Sequence, residues 1–126
     1  MPIQMERDGD GIVIIRAAGK LAKDDYSAFT AEFDRAVRRS GKLRVLFDIT
    51  NFNGWEPDGI VEEVKFDVKH NSDISRLAVV GDSKWHHTLV AALKPFAFAE
   101  TRYYQSSEGD QARLWLSEPT SFRTVS

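Results

Sequence analysis

The stretch of sequence that most constrains the fold is VLFDITNFNGWEPDG, residues 45–59. Apolar and aromatic residues surround one carboxylate, Asp48, and then a turn and Trp55 precede Pro57, a residue suited to the first position of a helix. An apolar run that ends in an acid and leads through a loop to a helix is typical of a buried parallel strand in an α/β sheet. Because ligands of such sheets bind at the carboxyl edge of the strands, we expect any functional site near Asp48 and Trp55.

The remaining chain repeats this order of strand and helix. The predicted strands are Ile3–Arg7, Gly11–Ala18, Leu43–Ile49, Ile74–Val80 and Ala99–Gln105. The predicted helices are Lys23–Arg39, Pro57–His70, Ser83–Pro95 and Glu108–Ser117. Asp-Gly pairs after the first strand predict an opening hairpin, and the later crossovers predict parallel neighbours. We therefore predict one α/β domain over residues 1–117, with a mixed, mainly parallel five-stranded sheet and four helices, and a polar tail over 118–126.

The second predicted helix carries one aromatic residue that does not fit its apolar face. The apolar stripe consists of Ile60, Val61, Val64 and Val68. Phe66 lies on the other side, among charged residues, and is therefore predicted to be exposed. Three interpretations of Phe66 remain open: an exposed residue without a role, a cover for an apolar pocket shared with Trp55, or an anchor for a dimer or partner contact.

Composition excludes several classes of function. The 126 residues fit one domain, and the chain has no cysteine, which excludes thiolate chemistry and favours a reducing compartment. Seventeen basic and nineteen acidic residues give a net charge of -2, which does not indicate a nucleic-acid surface. No apolar stretch reaches the roughly 18 residues of a membrane helix, and the polar N-terminus is unlike a signal peptide. We predict a cytoplasmic protein without stable membrane insertion.

The residues that could support catalysis or metal binding do not form a recognised pattern. Asp48 and Asp82 both follow apolar strands and could hold a magnesium ion or act as an acid/base pair. We prefer the interpretation that Asp82 caps the next helix and Asp48 orders its own loop, because helix starts recruit Asp routinely. Adjacent His86 and His87 point about 100° apart on a helix, which does not suit one metal ion. Phosphate-loop and serine-hydrolase motifs are absent, so we predict no cofactor and no enzymatic activity.

Three stretches give the chain a family resemblance: RAAGKLAKDDY at 16–26, FDITNFNGWEPDGIVEEVKFDVKH at 47–70 and RLAVVGDSKW at 76–85. Together they resemble the SpoIIAA-like group of the STAS superfamily (sulfate transporter and anti-sigma-factor antagonist domains). The resemblance implies a β-α superhelix that starts with a hairpin strand, and relatives that act by binding. Antagonist members bind a partner kinase and are switched by serine phosphorylation. A remote similarity to lipid-carrying CRAL-TRIO domains has also been suggested for the group.

The phosphorylation switch of those antagonists does not carry over to this chain. Their strand aspartate is followed, eight residues on, by an Asp-Ser-Ser-Gly-Leu box, whereas the corresponding box here reads Glu-Pro-Asp-Gly-Ile over residues 56–60. Pro57 stands in the place of the phosphoacceptor and has no hydroxyl group. Asp58 places a permanent negative charge near the helix N-terminus, which either mimics a phosphorylated state or simply stabilises the helix start.

The function we predict is that of a non-enzymatic binding module, which recognises an unknown protein partner or a hydrophobic small ligand. The candidate residues of its recognition surface are Asp48, Asn51, Trp55, Pro57, Asp58, Phe66, Asp82 and Trp85. A homodimer formed through Phe66 is one form that the partner contact could take. The alternative is a lipid or hydrophobic-ligand pocket beneath Trp55, Phe66 and Phe96, and an enzyme based on Asp48 and Asp82 is the third hypothesis.

Overall fold

The sheet is the frame of the molecule, and the computed structural model describes residues 3–7, 12–70, 73–81 and 100–118. In this part of the chain five strands form one sheet in the order β1-β2-β3-β4-β5. They are β1 (Ile3–Arg7), β2 (Ile12–Leu21), β3 (Leu43–Trp55), β4 (Ile74–Val80) and β5 (Glu100–Tyr104). β1 runs antiparallel to β2, and the other three pairs are parallel. The prediction of a mixed, mainly parallel five-stranded sheet is confirmed.

Three α-helices lie within the described residues. They are α1 (Lys23–Ser40), α2 (Pro57–His70) and α3 (Gly109–Ser117), the last preceded by a 3-10 turn over Ser106–Glu108. The predicted first residues of α1 and α2 are confirmed. They could be predicted because an acidic first turn and a Pro at the first position are strong signals of a helix start. The helix predicted over residues 83–95 lies outside the described residues.

Helices pack on both faces of the sheet. Successive side chains of a strand point to opposite faces, so β2 divides its apolar residues between two cores. Val13 and Ile15 pack with Phe29 and Phe33 beneath α1 and α2. Ile12 and Ile14 pack on the other face, with Ala112, Trp115 and Leu116 of α3. The continuous apolar run of β2 therefore reflects a strand that is buried on both sides.

Strand β3 is longer than predicted. Its ladder with β2 continues past Asp48 and pairs Ala18 with Asn51 and Leu21 with Trp55. The predicted turn between Ile49 and the helix is therefore wrong. Register shifts interrupt this part of the ladder, and Gly19 and Gly54 take φ values of 69° and 104°, which only glycine adopts readily. Because its pairing is irregular, the part of β3 after Ile49 lacks the regular alternation by which a strand is predicted from sequence.

Helix α2 presents a different face to the core than predicted. Ile60 and Val61 are 49% and 52% exposed, while Glu63 is buried and Phe66 packs against the core. Gly59 explains the orientation, because a Cβ atom there would lie 2.1 Å from the carbonyl oxygen of Leu21. This close approach turns the side of α2 that carries Gly59, Glu63 and Phe66 inward, at i, i+4 and i+7. The predicted inward positions of Ile60 and Val61 and the predicted exposure of Phe66 are wrong.

Candidate functional site

Asp48 lies apart from the aromatic residues with which the sequence grouped it. On β3 it alternates with Phe47, so its side chain projects to the α3 face, whereas Trp55 packs against the core under α1 and α2. The Thr50 backbone N–H donates to Asp48 Oδ1 at 2.9 Å, and Arg16 Nε lies 3.9 Å from Oδ2. These contacts agree with the interpretation that Asp48 orders the chain that follows it. They do not support a single surface made of Asp48, Trp55 and Phe66.

Asp82, Trp85 and Phe96, the last a predicted residue of the alternative pocket, lie outside the described residues. The hypothesis that Asp48 and Asp82 act together therefore stays untested. Asn51 is exposed on β3, in the irregular part of its ladder with β2.

The N-termini of α1 and α2 are joined to each other. The Glu56 backbone N–H donates to the Leu21 carbonyl oxygen at 2.7 Å, and the Lys23 backbone N–H donates to Asp58 Oδ1 at 3.2 Å. Asp58 belongs to α2 but accepts from the first residue of α1, so one carboxylate lies close to two helix N-termini, where negative charge is favourable. This supports the interpretation of Asp58 as a helix-stabilising residue, although it acts on the neighbouring helix.

The outer surface of α2 near this junction is exposed and mixed in character. We call it the α2 outer surface, and it consists of Glu56, Pro57, Asp58, Ile60 and Val61. Its two large apolar side chains are about half exposed, and its two acids lie in the first turn and directly before it. Together they form an apolar pair bordered by negative charge.

The inner side of α2 forms part of an apolar cleft. The Phe66 ring lies 5.1 Å from the ring of Phe29 and 5.0 Å from that of Phe33, measured between centroids. A cleft of about 60 Å³ separates this aromatic layer from the sheet, with Ile15 and Val45 among the sheet residues that line it. The Phe66 ring lines this cleft, whereas Trp55, the predicted second cover of an apolar pocket, does not. The role of Phe66 in binding stays a prediction.

One acidic residue lines the cleft. Glu63 is 9% exposed and lines the cleft beside Tyr26, whose hydroxyl group donates to Glu63 Oε1 at 2.7 Å. The indole N–H of Trp55 donates to the same Tyr26 oxygen at 3.0 Å. An indole nitrogen can only donate and a carboxylate oxygen accepts, so the hydrogen bonds run from Trp55 to Tyr26 and from Tyr26 to Glu63. We refer to these three residues as the Glu63 chain.

The importance of Glu63 and Tyr26 was not recognised in the sequence. The one available signal was Gly59, four residues before Glu63, because a glycine inside a helix often marks a close contact. Trp55 was recognised, but it contributes through its indole N–H from a strand and not through a loop.

Within the described residues, no group of three or more potential metal ligands comes together. Among the helices described, none combines the length and the hydropathy that crossing a lipid bilayer requires. The predicted cytoplasmic location stays a prediction.

Comparison with known proteins places the fold. The SpoIIAA-like family model matches residues 12–117. The fold is similar to the crystal structure, at 2.25 Å resolution, of an uncharacterized protein of the DUF3478 family with a SpoIIAA-like fold from Shewanella loihica PV-4. The two are 24% identical, the match covers 90% of this chain and 91% of the other, and the TM-score is 0.75. None of the curated proteins matches the sequence.

Proposed function

Because the chain belongs to the SpoIIAA-like family, we propose that it is a non-enzymatic binding module that recognises a protein through the α2 outer surface. Pro57 stands at the first position of α2 and has no hydroxyl group, so this module binds without a phosphorylation switch at that point.

The observation that carries the proposal is the exposure of Ile60 and Val61. They are two of the four large apolar side chains that are exposed in the described part of the chain, and they are adjacent. Neither residue is needed to fill the core, since Glu63 and Phe66 occupy the inner side of the helix. We therefore take this adjacent aliphatic pair, which polar residues border, as the centre of the proposed contact.

The charge around this pair indicates the chemistry of the partner. Glu56 and Asp58 flank the apolar residues, so a complementary surface would combine an apolar contact with Lys or Arg. A second copy of this chain is the competing occupant. Sedimentation of the purified protein distinguishes the two, because a homodimer through this surface would dissociate when Ile60 is replaced.

The test compares Ile60→Lys with Leu114→Lys. Both residues are exposed, at 49% and 69%, but Leu114 lies on α3, on the opposite side of the sheet. We expect the two variants to unfold at the same urea concentration as the wild type. A partner cross-linked in cells and then purified should bind the wild type and Leu114→Lys, and should bind Ile60→Lys at least about tenfold more weakly. Its affinity for the wild type should fall as salt concentration rises.

Equal binding by the wild type and Ile60→Lys would contradict the proposal, and so would a partner that is lost from both lysine variants. The first result would place recognition elsewhere on the molecule. The second would show that any added charge disturbs binding, so the α2 outer surface would have no special role.

The alternative of a lipid-binding domain has less support. The cleft under α2 measures about 60 Å³, whereas sites for drug-sized ligands occupy roughly 300–1,000 Å³. An acyl chain would require α2 to move away from the sheet, against the contact of Gly59 with the Leu21 carbonyl group. The cleft therefore suits a much smaller guest.

A further inference from the structure

Glu63 is a buried carboxyl group with an incomplete set of partners. Its Oε1 atom accepts the hydroxyl proton of Tyr26. Among the residues that the structure describes, no donor reaches its second oxygen and no Lys, Arg or His nitrogen lies within 4.0 Å of it. A buried acid is normally paired with a cation or fully hydrogen-bonded, because leaving it alone in apolar surroundings is unfavourable. The second oxygen is not fully enclosed, since it is not one of the described buried side-chain atoms without a partner, and a small guest with a donor can therefore reach it.

The cleft around Glu63 is suited to a cation. Four aromatic residues line it together with Glu63, namely Tyr26, Phe29, Phe47 and Phe66. The faces of aromatic rings attract cations, and cages of such rings beside a carboxylate are a recurrent means of binding organic ammonium groups. The aliphatic lining, which includes Ile15 and Val45, would contact the carbon atoms of the guest.

We propose that this cleft binds a primary alkylammonium group, with the Glu63 carboxylate as its hydrogen-bond acceptor. The ammonium group supplies the positive charge and the donors that the described protein groups do not. The Glu63 chain holds the carboxylate in place, since Trp55 and Tyr26 position its other oxygen. The aromatic rings and aliphatic residues enclose the short carbon chain.

The volume limits the size of the guest. A cleft of about 60 Å³ holds only a few non-hydrogen atoms, far less than the roughly 300–1,000 Å³ of sites for drug-sized ligands. Ethylammonium is close to this size, while tetramethylammonium is too large and carries no N–H donor. Several lining residues, including Phe47, Leu77 and Phe66, are only half-buried, so the cleft is not sealed. A longer amine could insert its ammonium end and leave the rest outside.

This site is separate from the α2 outer surface, because it lies on the inner side of the same helix. Failure of one proposal leaves the other standing. Binding of a protein partner at Ile60 does not test the amine site at Glu63, and binding of an amine at Glu63 does not test the protein contact at Ile60.

The experiment is a titration of the ¹⁵N-labelled full chain with ethylammonium chloride. The reporter is the indole N–H signal of Trp55, assigned with Trp55→Phe, because this group donates directly into the Glu63 chain. We expect a saturable shift with a Kd on the order of 1 mM, as suits a ligand of three heavy atoms. Sodium chloride at equal concentration should produce no saturable shift, and tetramethylammonium and ethanol should not reproduce it.

The decisive variant is Glu63→Gln, which keeps an oxygen acceptor for Tyr26 but removes the charge. It should bind ethylammonium at least about tenfold more weakly. Glu62→Gln, at the neighbouring position, is the matched control and should bind like the wild type, since Glu62 pairs with Lys65 at the surface. Should Glu63→Gln fail to fold, Phe66→Leu provides a second test, because it keeps an apolar side chain and should weaken binding severalfold.

Three results would overturn the proposal. The first is the absence of a saturable shift in the wild type. The second is equal affinity in Glu63→Gln, or in Phe66→Leu where that variant is used. The third is an equal response to ethanol or tetramethylammonium, which would show an unspecific apolar void or a surface effect.

Discussion

At the scale of single residues, helix α2 shows how a hydrogen bond can outweigh the polarity of a side chain. Glu63 is buried while its neighbours Ile60 and Val61 are about half exposed. The carboxyl group tolerates this position because the Tyr26 hydroxyl group satisfies one of its oxygens at 2.7 Å. Phe66 then covers the adjacent space against two other aromatic rings. Which residues of a helix face inward is decided by such pairings as well as by hydropathy.

Tyr103 on β5 makes stability depend on pH in the alkaline range. Partial burial raises the pKa of its hydroxyl group above the usual value of 10.0. The unfolded chain therefore loses this proton at a lower pH than the folded protein does. The contribution of Tyr103 to the unfolding free energy is fully present below about pH 10. It is lost as the pH rises through the higher pKa of the folded state.

We expect Tyr103→Phe to reduce this alkaline loss of stability. Urea unfolding of the wild type and the variant at about pH 8, 10 and 11 would measure this loss. Above about pH 10 the unfolding free energy of the wild type should fall more steeply than that of the variant. Curves that run parallel over the whole range would show that Tyr103 titrates alike in the folded and unfolded states.

At the scale of elements, the position of α2 depends on a backbone contact. Gly59 lies so close to the Leu21 carbonyl oxygen that a Cβ atom would be 2.1 Å from it, and the backbone cannot move aside as a flexible side chain would. The Glu56 N–H group donates to that same oxygen. The end of β2, the start of α1 and the start of α2 are therefore packed as one junction.

Replacing Gly59 with alanine should destabilise the protein by about 1–3 kcal/mol, although alanine is the better helix former, because α2 must shift away from the sheet. Gly109→Ala at the start of α3 is the matched control. Nothing lies within 4 Å of a Cβ atom at Gly109, so this change should be neutral or stabilising by up to about 1 kcal/mol. Urea unfolding measures both. Similar effects of the two changes would mean that the junction adapts to a methyl group.

At the scale of the whole molecule, arginines attach the second helical layer to the sheet. Arg76 Nη1 donates to the Trp115 carbonyl oxygen at 2.6 Å, and Arg44 Nη1 donates to the Leu116 carbonyl oxygen at 2.7 Å. Both acceptors are among the last carbonyls of α3, where positive charge is favourable. The Arg76 guanidinium also lies 4.9 Å from the Trp115 ring. Attachment of α3 thus combines hydrogen bonds, charge and a cation–π contact.

Arg76→Met should cost about 1–3 kcal/mol of unfolding free energy, because it removes a charged donor and leaves the Trp115 carbonyl group without it. Arg102→Met is the comparison, since Arg102 also lies over the Trp115 ring, at 4.8 Å, but is exposed. Its loss should cost less than about 1 kcal/mol. Chemical denaturation followed by Trp fluorescence would measure both, and equal costs would assign the attachment to the ring contact alone.

The sequence by itself determined the class of fold, the bounds of β1 and β4 and the start of α2, because periodic hydropathy and helix-start residues act over a few neighbouring positions. It also determined that Pro57 cannot be phosphorylated. Only the tertiary structure decided the length of β3 and which face of α2 is buried. It also decided the hydrogen bonds that join Trp55, Tyr26 and Glu63. These features depend on residues far apart in the chain, such as Gly59 with Leu21, whose proximity no local pattern records.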